Sequence, residues 1–181
     1  GLARIAVGAM GAAITLAVGV IALGVAFDPG RIDWPLLVIV NIAGLAAIVA
    51  LGVLLAATVI QTRQESWSYP EAVAGALFLL TGAIFPLAVL PGPVQAIGLV
   101  LPITWWLEGV RLALFPGGTS SAGGPGSLWL ELTGRTVPTS PEVVAALLAT
   151  GALVTLASLV AFRFSERRAK DLGLFDRTTG S

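Results

Sequence analysis

Two ionisable side chains interrupt the most apolar stretch of this chain. Glu108 and Arg111 stand three apart, so on a helix they share one face. They follow 36 consecutive residues without a charge, positions 72–107. In such surroundings a carboxylate and a guanidinium either neutralise one another or form a contact that opens and closes against a partner. Other chemistry is scarce. The 181 residues include no Cys and no His. That removes disulfides, thiolate metal sites, Ser-His-Asp triads and the commonest general base. With no HExxH and no Asp or Glu inside the long apolar runs, the sequence argues against an intramembrane protease and against ion coupling through buried carboxylates. The single Lys, Lys170, follows Ala169, so there is no G-x-x-x-x-G-K-[ST] phosphate loop. The Gly-rich run GGTSSAGGPG, 117–126, reads as a flexible loop rather than a phosphate cradle. The chain is therefore not an ATPase by itself, and no metal or organic cofactor is implied.

The elements that must position Glu108 and Arg111 follow from composition. Apolar residues make up 56% and charged residues 11% of the chain, and mean hydropathy is +0.95. A soluble domain carries about 25% charge; this chain cannot cover a water-facing surface. Ten basic residues balance ten acidic ones, which argues against nucleic acid as a partner. The expected fold is all-α: a polytopic membrane protein with four transmembrane helices and a re-entrant helical hairpin on the external side. Charge-free gaps place the spans at about 5–27, 35–60, 72–90 and 142–163 within a single domain, 1–181. About 20 helical residues cross a 30 Å hydrocarbon core. The turn DPGRID, 28–33, closes the first span, and Trp34 and Pro35 open the second. The first residue is Gly, so the chain reads as a fragment of a longer protein.

Residues 91–115 are too short for two further spans. Pro91, Pro93 and Pro102 divide them into two short helices. A charge at the bilayer centre costs about 2.5–3.5 kcal/mol, and an i, i+3 ion pair returns only about 0.2–0.5 kcal/mol. Glu108 and Arg111 are thus expected at the external interface, with Pro102 at the deepest point of the turn. A single straight span kinked at Pro102 is the alternative. Charge counting gives seven basic residues inside (Arg4, Arg63, Arg163, Arg167, Arg168, Lys170 and Arg177) and three outside (Arg31, Arg111 and Arg135). It puts the tail, 164–181, in the cytoplasm under either span number. The loop 116–140 is then external, with Leu128, Trp129 and Leu130 resting on the membrane.

Within the spans, Asn41 either bonds a neighbouring helix or faces a substrate path. Trp105 and Trp106 read as interface anchors. The polar stretch 61–71 carries Arg63, Gln64, Glu65, Trp67 and Tyr69, a mix suited to a protein contact.

From Thr81 to Arg111 the text is TGAIFPLAVLPGPVQAIGLVLPITWWLEGVR. It resembles the C-terminal signature of ABC-2-type transporter permeases. That family has a small-residue–Gly pair (here Thr81-Gly82), an aromatic–Pro pair (Phe85-Pro86) and a Leu-Pro opening a short helix (Leu90-Pro91). A second Leu-Pro-hydrophobic-Thr follows (Leu101-Pro102-Ile103-Thr104), and then an Arg (Arg111). Thr81 stands where Ser is common, and Trp105 where Tyr or His is common. The resemblance implies the last four of six spans, a permease dimer and docking on cytoplasmic ATP-binding subunits.

The expected function is the membrane-spanning permease subunit of an ATP-driven exporter in a prokaryotic cell membrane, with a cytoplasmic C-terminus. Its partners would be the lipid bilayer, a second permease and a separate ATPase. Residues 61–71 would dock the ATPase. Pro91, Pro102, Trp105, Trp106, Glu108 and Arg111 would form the external gate, and Asn41, Thr81 and Phe85 would line the path or pack helices. No residue is expected to do covalent chemistry. The rival readings are a secondary transporter and a non-transporting membrane scaffold.

Overall fold

The computed structural model describes residues 2–23, 28–59 and 68–171. Seven α-helices form among them: α1 (Leu2–Leu23), α2 (Trp34–Val59), α3 (Ser68–Leu80), α4 (Gly92–Val100), α5 (Pro102–Leu114), α6 (Leu128–Thr133) and α7 (Ser140–Asp171). No strand forms among the described residues. The chain is an α-helical membrane protein. Trp34–Thr58 and Ser140–Glu166 are each long and apolar enough to cross a bilayer, and the bent pair α4–α5 makes a third if counted as one. α1 runs for 22 residues with Arg4 as its one charge, about 33 Å at 1.5 Å per residue. Val7, Met10, Ile14, Val18 and Ile21 on it are exposed.

Local chemistry sets the helix starts. Asp33 caps α2, its Oδ1 accepting the Leu36 N–H at 3.0 Å. Thr139 and Glu142 start α7 in a capping box: Glu142 Oε2 reaches back to the Thr139 N–H at 2.7 Å. Arg135 closes the far side of that carboxylate at 2.8 Å.

The most extensive helix pair is α2 with α7, and α5 packs against both. α2 is apolar all round, so its neighbours decide which face is buried. That face is Leu36, Val40, Ala47, Ala50 and Ala57, a spacing of three, four and seven that keeps one stripe of the helix in contact. The contacts fix direction. Near its start, α2 meets the start of α7 through Gly109 of α5: a Cβ on that glycine would stand 2.6 Å from Val40 Cγ1 and 3.3 Å from Val143 Cγ1. Midway, Gly151 faces Ala47. At the far end, the Ser165 hydroxyl donates to the Ala57 carbonyl at 2.9 Å. α2 and α7 therefore run parallel. α5 runs the other way beside α2: Trp106 lies on Gly44, Gly109 on Val40, and the Asp33 N–H donates to the Ala113 carbonyl.

The structure departs from the sequence reading at 72–90. One helix does not cover that range. α3 stops at Leu80, a turn fills 81–86, and a short 3-10 turn covers Leu87–Val89. Gly82 adopts φ +71°, a left-handed conformation that ends helices and suits glycine.

Candidate functional site

The turn after α3, the α4–α5 break and the loop after α5 converge on one network. It begins with proline chemistry. Pro102 has no N–H to give the Gly98 carbonyl four residues back, and the chain bends by 80° between α4 and α5. In a membrane such freed carbonyls need partners from the protein itself. Thr104 supplies one: its buried hydroxyl donates to the Gly98 carbonyl at 2.6 Å. The Trp105 indole donates to the Leu99 carbonyl at 2.7 Å. The Leu-Pro-hydrophobic-Thr sequence is thus a self-satisfying break. Gly98 also lets the helix approach α3, since a Cβ there would meet the Leu80 carbonyl at 2.5 Å.

Glu108 is fully buried. Its Oε2 accepts the Ser121 N–H at 2.9 Å and the Ala122 N–H at 3.4 Å, with Arg111 Nη1 at 3.6 Å. Arg111 Nη2 donates to the Gly82 carbonyl at 2.7 Å, and the Ser121 hydroxyl donates to the same oxygen at 3.0 Å. The Leu87 N–H closes the ring on the Ser121 carbonyl at 2.8 Å. One acid and one base thereby tie together the Thr81-Gly82 turn, α5 and the Gly-rich loop. The second carboxylate oxygen, Oε1, is buried without a hydrogen-bond partner.

Several expectations change here. Glu108 does not reach the surface to tether the helix among headgroups; backbone N–H groups of the loop enclose it. The Glu108–Arg111 ion pair forms, but as part of a network. Trp105 is not a surface anchor: it is 3% exposed and packs edge-on against Trp129 at 5.2 Å. Trp129 accordingly turns inward instead of resting on the membrane. Trp106 lies half-buried on α2 at Gly44. The Asn41 amide bonds its own helix, Nδ2 donating to the Leu37 carbonyl at 2.7 Å. Thr81 is buried and donates to the Leu77 carbonyl at 2.6 Å. Phe85 is half-buried in the turn, and Pro91 is exposed at the start of α4. Arg63, Gln64, Glu65 and Trp67 lie outside the described residues. Tyr69 falls in the first turn of α3, and its side chain lies outside them.

The loop 117–126 is not a free linker. Ser120, Ser121 and Ala122 are buried, and the N–H groups of 121 and 122 already hold a carboxylate, that of Glu108. Small side chains let this backbone press against Gly82 and α5. Sequence reasoning also missed Gln95. It is 5% exposed; its amide donates to the Leu90 carbonyl at 2.8 Å and the Gly126 carbonyl at 3.3 Å, and its Oε1 accepts the Leu128 N–H at 2.6 Å. The available signal was an uncharged polar residue alone in an apolar run.

Both arms of the hairpin are therefore fastened to one loop, α4 through Gln95 and α5 through Glu108. Comparison with known proteins adds the lineage. No curated protein and no solved structure matches this chain. A family model described as ABC-2 type transporter matches residues 2–115, from the start of α1 to the end of the hairpin. The match covers well over half of the 181 residues, and the chain belongs to the ABC-2 type transporter family, as a membrane component of an ABC transporter.

Proposed function

We propose that the chain is the permease subunit of an ATP-driven exporter, working as one of a pair and powered by a separate cytoplasmic ATPase. The supporting observation is the hairpin 91–115, tied at both arms to the loop after α5 in a chain of this family. Its direction matters. α2 and α7 run parallel, so the chain between them makes a net single crossing. α3 with its following turn supplies that crossing, and the hairpin enters and leaves on one side. A straight fifth span would make α2 and α7 antiparallel. With basic residues inside, the starts of α2 and α7, the hairpin ends and the loop 116–140 face outward. The tail faces the cytoplasm of a prokaryotic cell. The chain then corresponds to the last four of six spans.

In this reading Pro102 marks the inner limit of an external cap. α5 is 13 residues long, about 20 Å at 1.5 Å per residue, and reaches from the α2 start to mid-membrane. Hydrolysis in the ATPase rocks the paired permeases and moves this cap. Residues 61–71 form the cytoplasmic contact. A cap braced by a buried Glu108–Arg111–Gly82 network moves as a unit rather than unravelling.

Two measurements test the proposal. Single cysteines at Gly92 and Gly117 should both react with a membrane-impermeant thiol reagent applied outside intact cells, while one at Ser66 should not. Labelling of Gly92 only from the cytoplasm refutes the hairpin. The full permease should hydrolyse no ATP until its ATPase subunit is added; turnover by the permease alone refutes the partner.

A further inference from the structure

A cleft of about 500 Å³ opens between the α1–α2 turn and the exit of the hairpin. Its walls include Asp28, Arg31, Arg111, Leu112, Phe115 and Thr119. Of these residues the transport reading uses Arg111 alone, in the brace of the cap. The two guanidiniums differ in status. Arg111 is engaged with Gly82 and Glu108. Arg31 is exposed; its backbone N–H donates to the Asp28 carbonyl at 3.0 Å, and its guanidinium has no ion pair or hydrogen bond among the described residues. The Asp28 carboxylate is turned to its own loop, Oδ1 accepting the Gly30 N–H at 2.9 Å. Behind Arg111, the Glu108 charge is met by two backbone N–H groups and that guanidinium.

We propose that this cleft binds a phosphodiester, with Arg31 as the principal ligand and Arg111 at the back wall. Guanidinium forks match phosphate oxygens. The single uncommitted guanidinium, Arg31, suits a singly charged diester, and Asp28 on the rim repels a doubly charged monoester. The volume far exceeds that of one phosphate group, and Leu112 and Phe115 give the remainder apolar walls. Trp34, exposed and three residues from Arg31, sets this end of the molecule at the level of an interfacial aromatic belt. An anionic glycerophospholipid combines these properties: diester, glycerol and the first acyl carbons. A soluble glycerol phosphodiester offers the same headgroup without the chains.

The test uses the full permease in nanodiscs of phosphatidylcholine with added phosphatidylglycerol. Native mass spectrometry after mild delipidation reads the retained lipid. Phosphatidylglycerol should be retained over phosphatidylcholine, and Arg31→Gln should weaken that retention about tenfold, the scale of one lost charge-assisted hydrogen-bonded contact. Arg135→Gln, a cation committed to Glu142, should leave it unchanged. The Arg31 guanidinium holds no hydrogen bond or ion pair among the described residues, so an unaltered melting temperature separates lost binding from lost folding. Competition with glycerophosphoglycerol distinguishes the sources. Displacement at equal concentration identifies a soluble diester as the ligand, and displacement only by the diacyl lipid identifies the membrane. Equal retention of both lipids, or retention indifferent to Arg31→Gln, overturns the proposal. The readout involves no ATPase and no transport, so its failure leaves the permease reading standing, and the converse holds.

Discussion

The α2–α7 pair and the α4–α5 hairpin solve the same problem in opposite ways. α2 and α7 are unbroken, so their backbone groups satisfy one another within each helix. They need only small residues at the contact, such as Ala47, Gly151, Ala57 and Ser165. The hairpin breaks its backbone at Pro102 in the middle of an apolar segment. Two carbonyls there are met by particular side chains: Thr104 for Gly98, beside the Leu101 N–H, and the Trp105 indole for Leu99. The loops beyond are held by Glu108, Arg111 and Gln95. In a solvent without hydrogen bonds, regular structure is tolerant of sequence, whereas irregular structure has to be specified residue by residue. Substitutions should therefore be felt strongly in the hairpin and weakly between α2 and α7.

The largest effect is expected at Glu108. Glu108→Ala leaves the Ser121 and Ala122 N–H groups without their acceptor and Arg111 with a single partner. Arg111 stays 31% exposed, so the loss comes chiefly from the two orphaned N–H groups, about 1–3 kcal/mol each. The expected outcome is a permease that inserts but melts well below the wild type in detergent, with the 117–126 loop newly open to protease. Glu108→Gln keeps an acceptor and should lose less. A melting temperature unchanged by Glu108→Ala would erase the contrast between the regions.

Next in size are two changes at the break and the crossing. Thr104→Val keeps the shape and removes the side-chain donor to the Gly98 carbonyl, leaving it the Leu101 N–H at 3.1 Å; loss of one such hydrogen bond costs about 1 kcal/mol. Thr104→Ser should restore it. Gly109→Ala places a Cβ 2.6 Å from Val40 Cγ1, and overpacking of this kind costs about 1–3 kcal/mol. Both are read by thermal melting. If Thr104→Val and Thr104→Ser melt alike, the hydroxyl is not what holds the bend.

The same contrast explains what was legible before the structure. The all-helical membrane class, the start of α2 at Trp34-Pro35 and the separation of α4 from α5 follow from charge-free run lengths and prolines, which are local properties. Thr81-Gly82 and Leu101–Thr104 were visible as a pattern, but their purpose was not. Gly82 matters because its carbonyl accepts from Arg111 and Ser121, 29 and 39 residues away in sequence. Burial of Glu108 was misjudged because the insertion cost was set against Arg111 alone. The missing partners were backbone N–H groups in a Gly-rich run, and composition gives no sign that such a run will fold inward. The stop of α3 at Leu80 was hidden for a related reason. Apolar residues continue to Leu90, and only the left-handed Gly82 and its hydrogen bonds show where the helix must end.

The smallest effect is expected where α2 and α7 meet near their ends. Ser165 is fully buried and donates to the Ala57 carbonyl. Ala57 stands in the last turn of α2, and the hydroxyl links it to α7 across the pair. Interhelical hydrogen bonds in membranes average about 0.6 kcal/mol and reach about 1.7 kcal/mol. Ser165→Ala should fall near that average, below any of the hairpin changes. Gly52→Ala on α2 supplies the baseline, because no atom lies within 4 Å of a Cβ placed there and alanine is the better helix former. Its melting temperature should equal or slightly exceed the wild type. Ser165→Ala and Thr104→Val each remove a single hydroxyl bonded to a backbone carbonyl. Their ratio in one detergent therefore measures how much more a broken helix depends on a side-chain donor than a continuous one. A Ser165→Ala loss as large as that of Thr104→Val would mean that the parallel pair is also held by specified polar contacts, and that continuity of the backbone is not what separates the two regions.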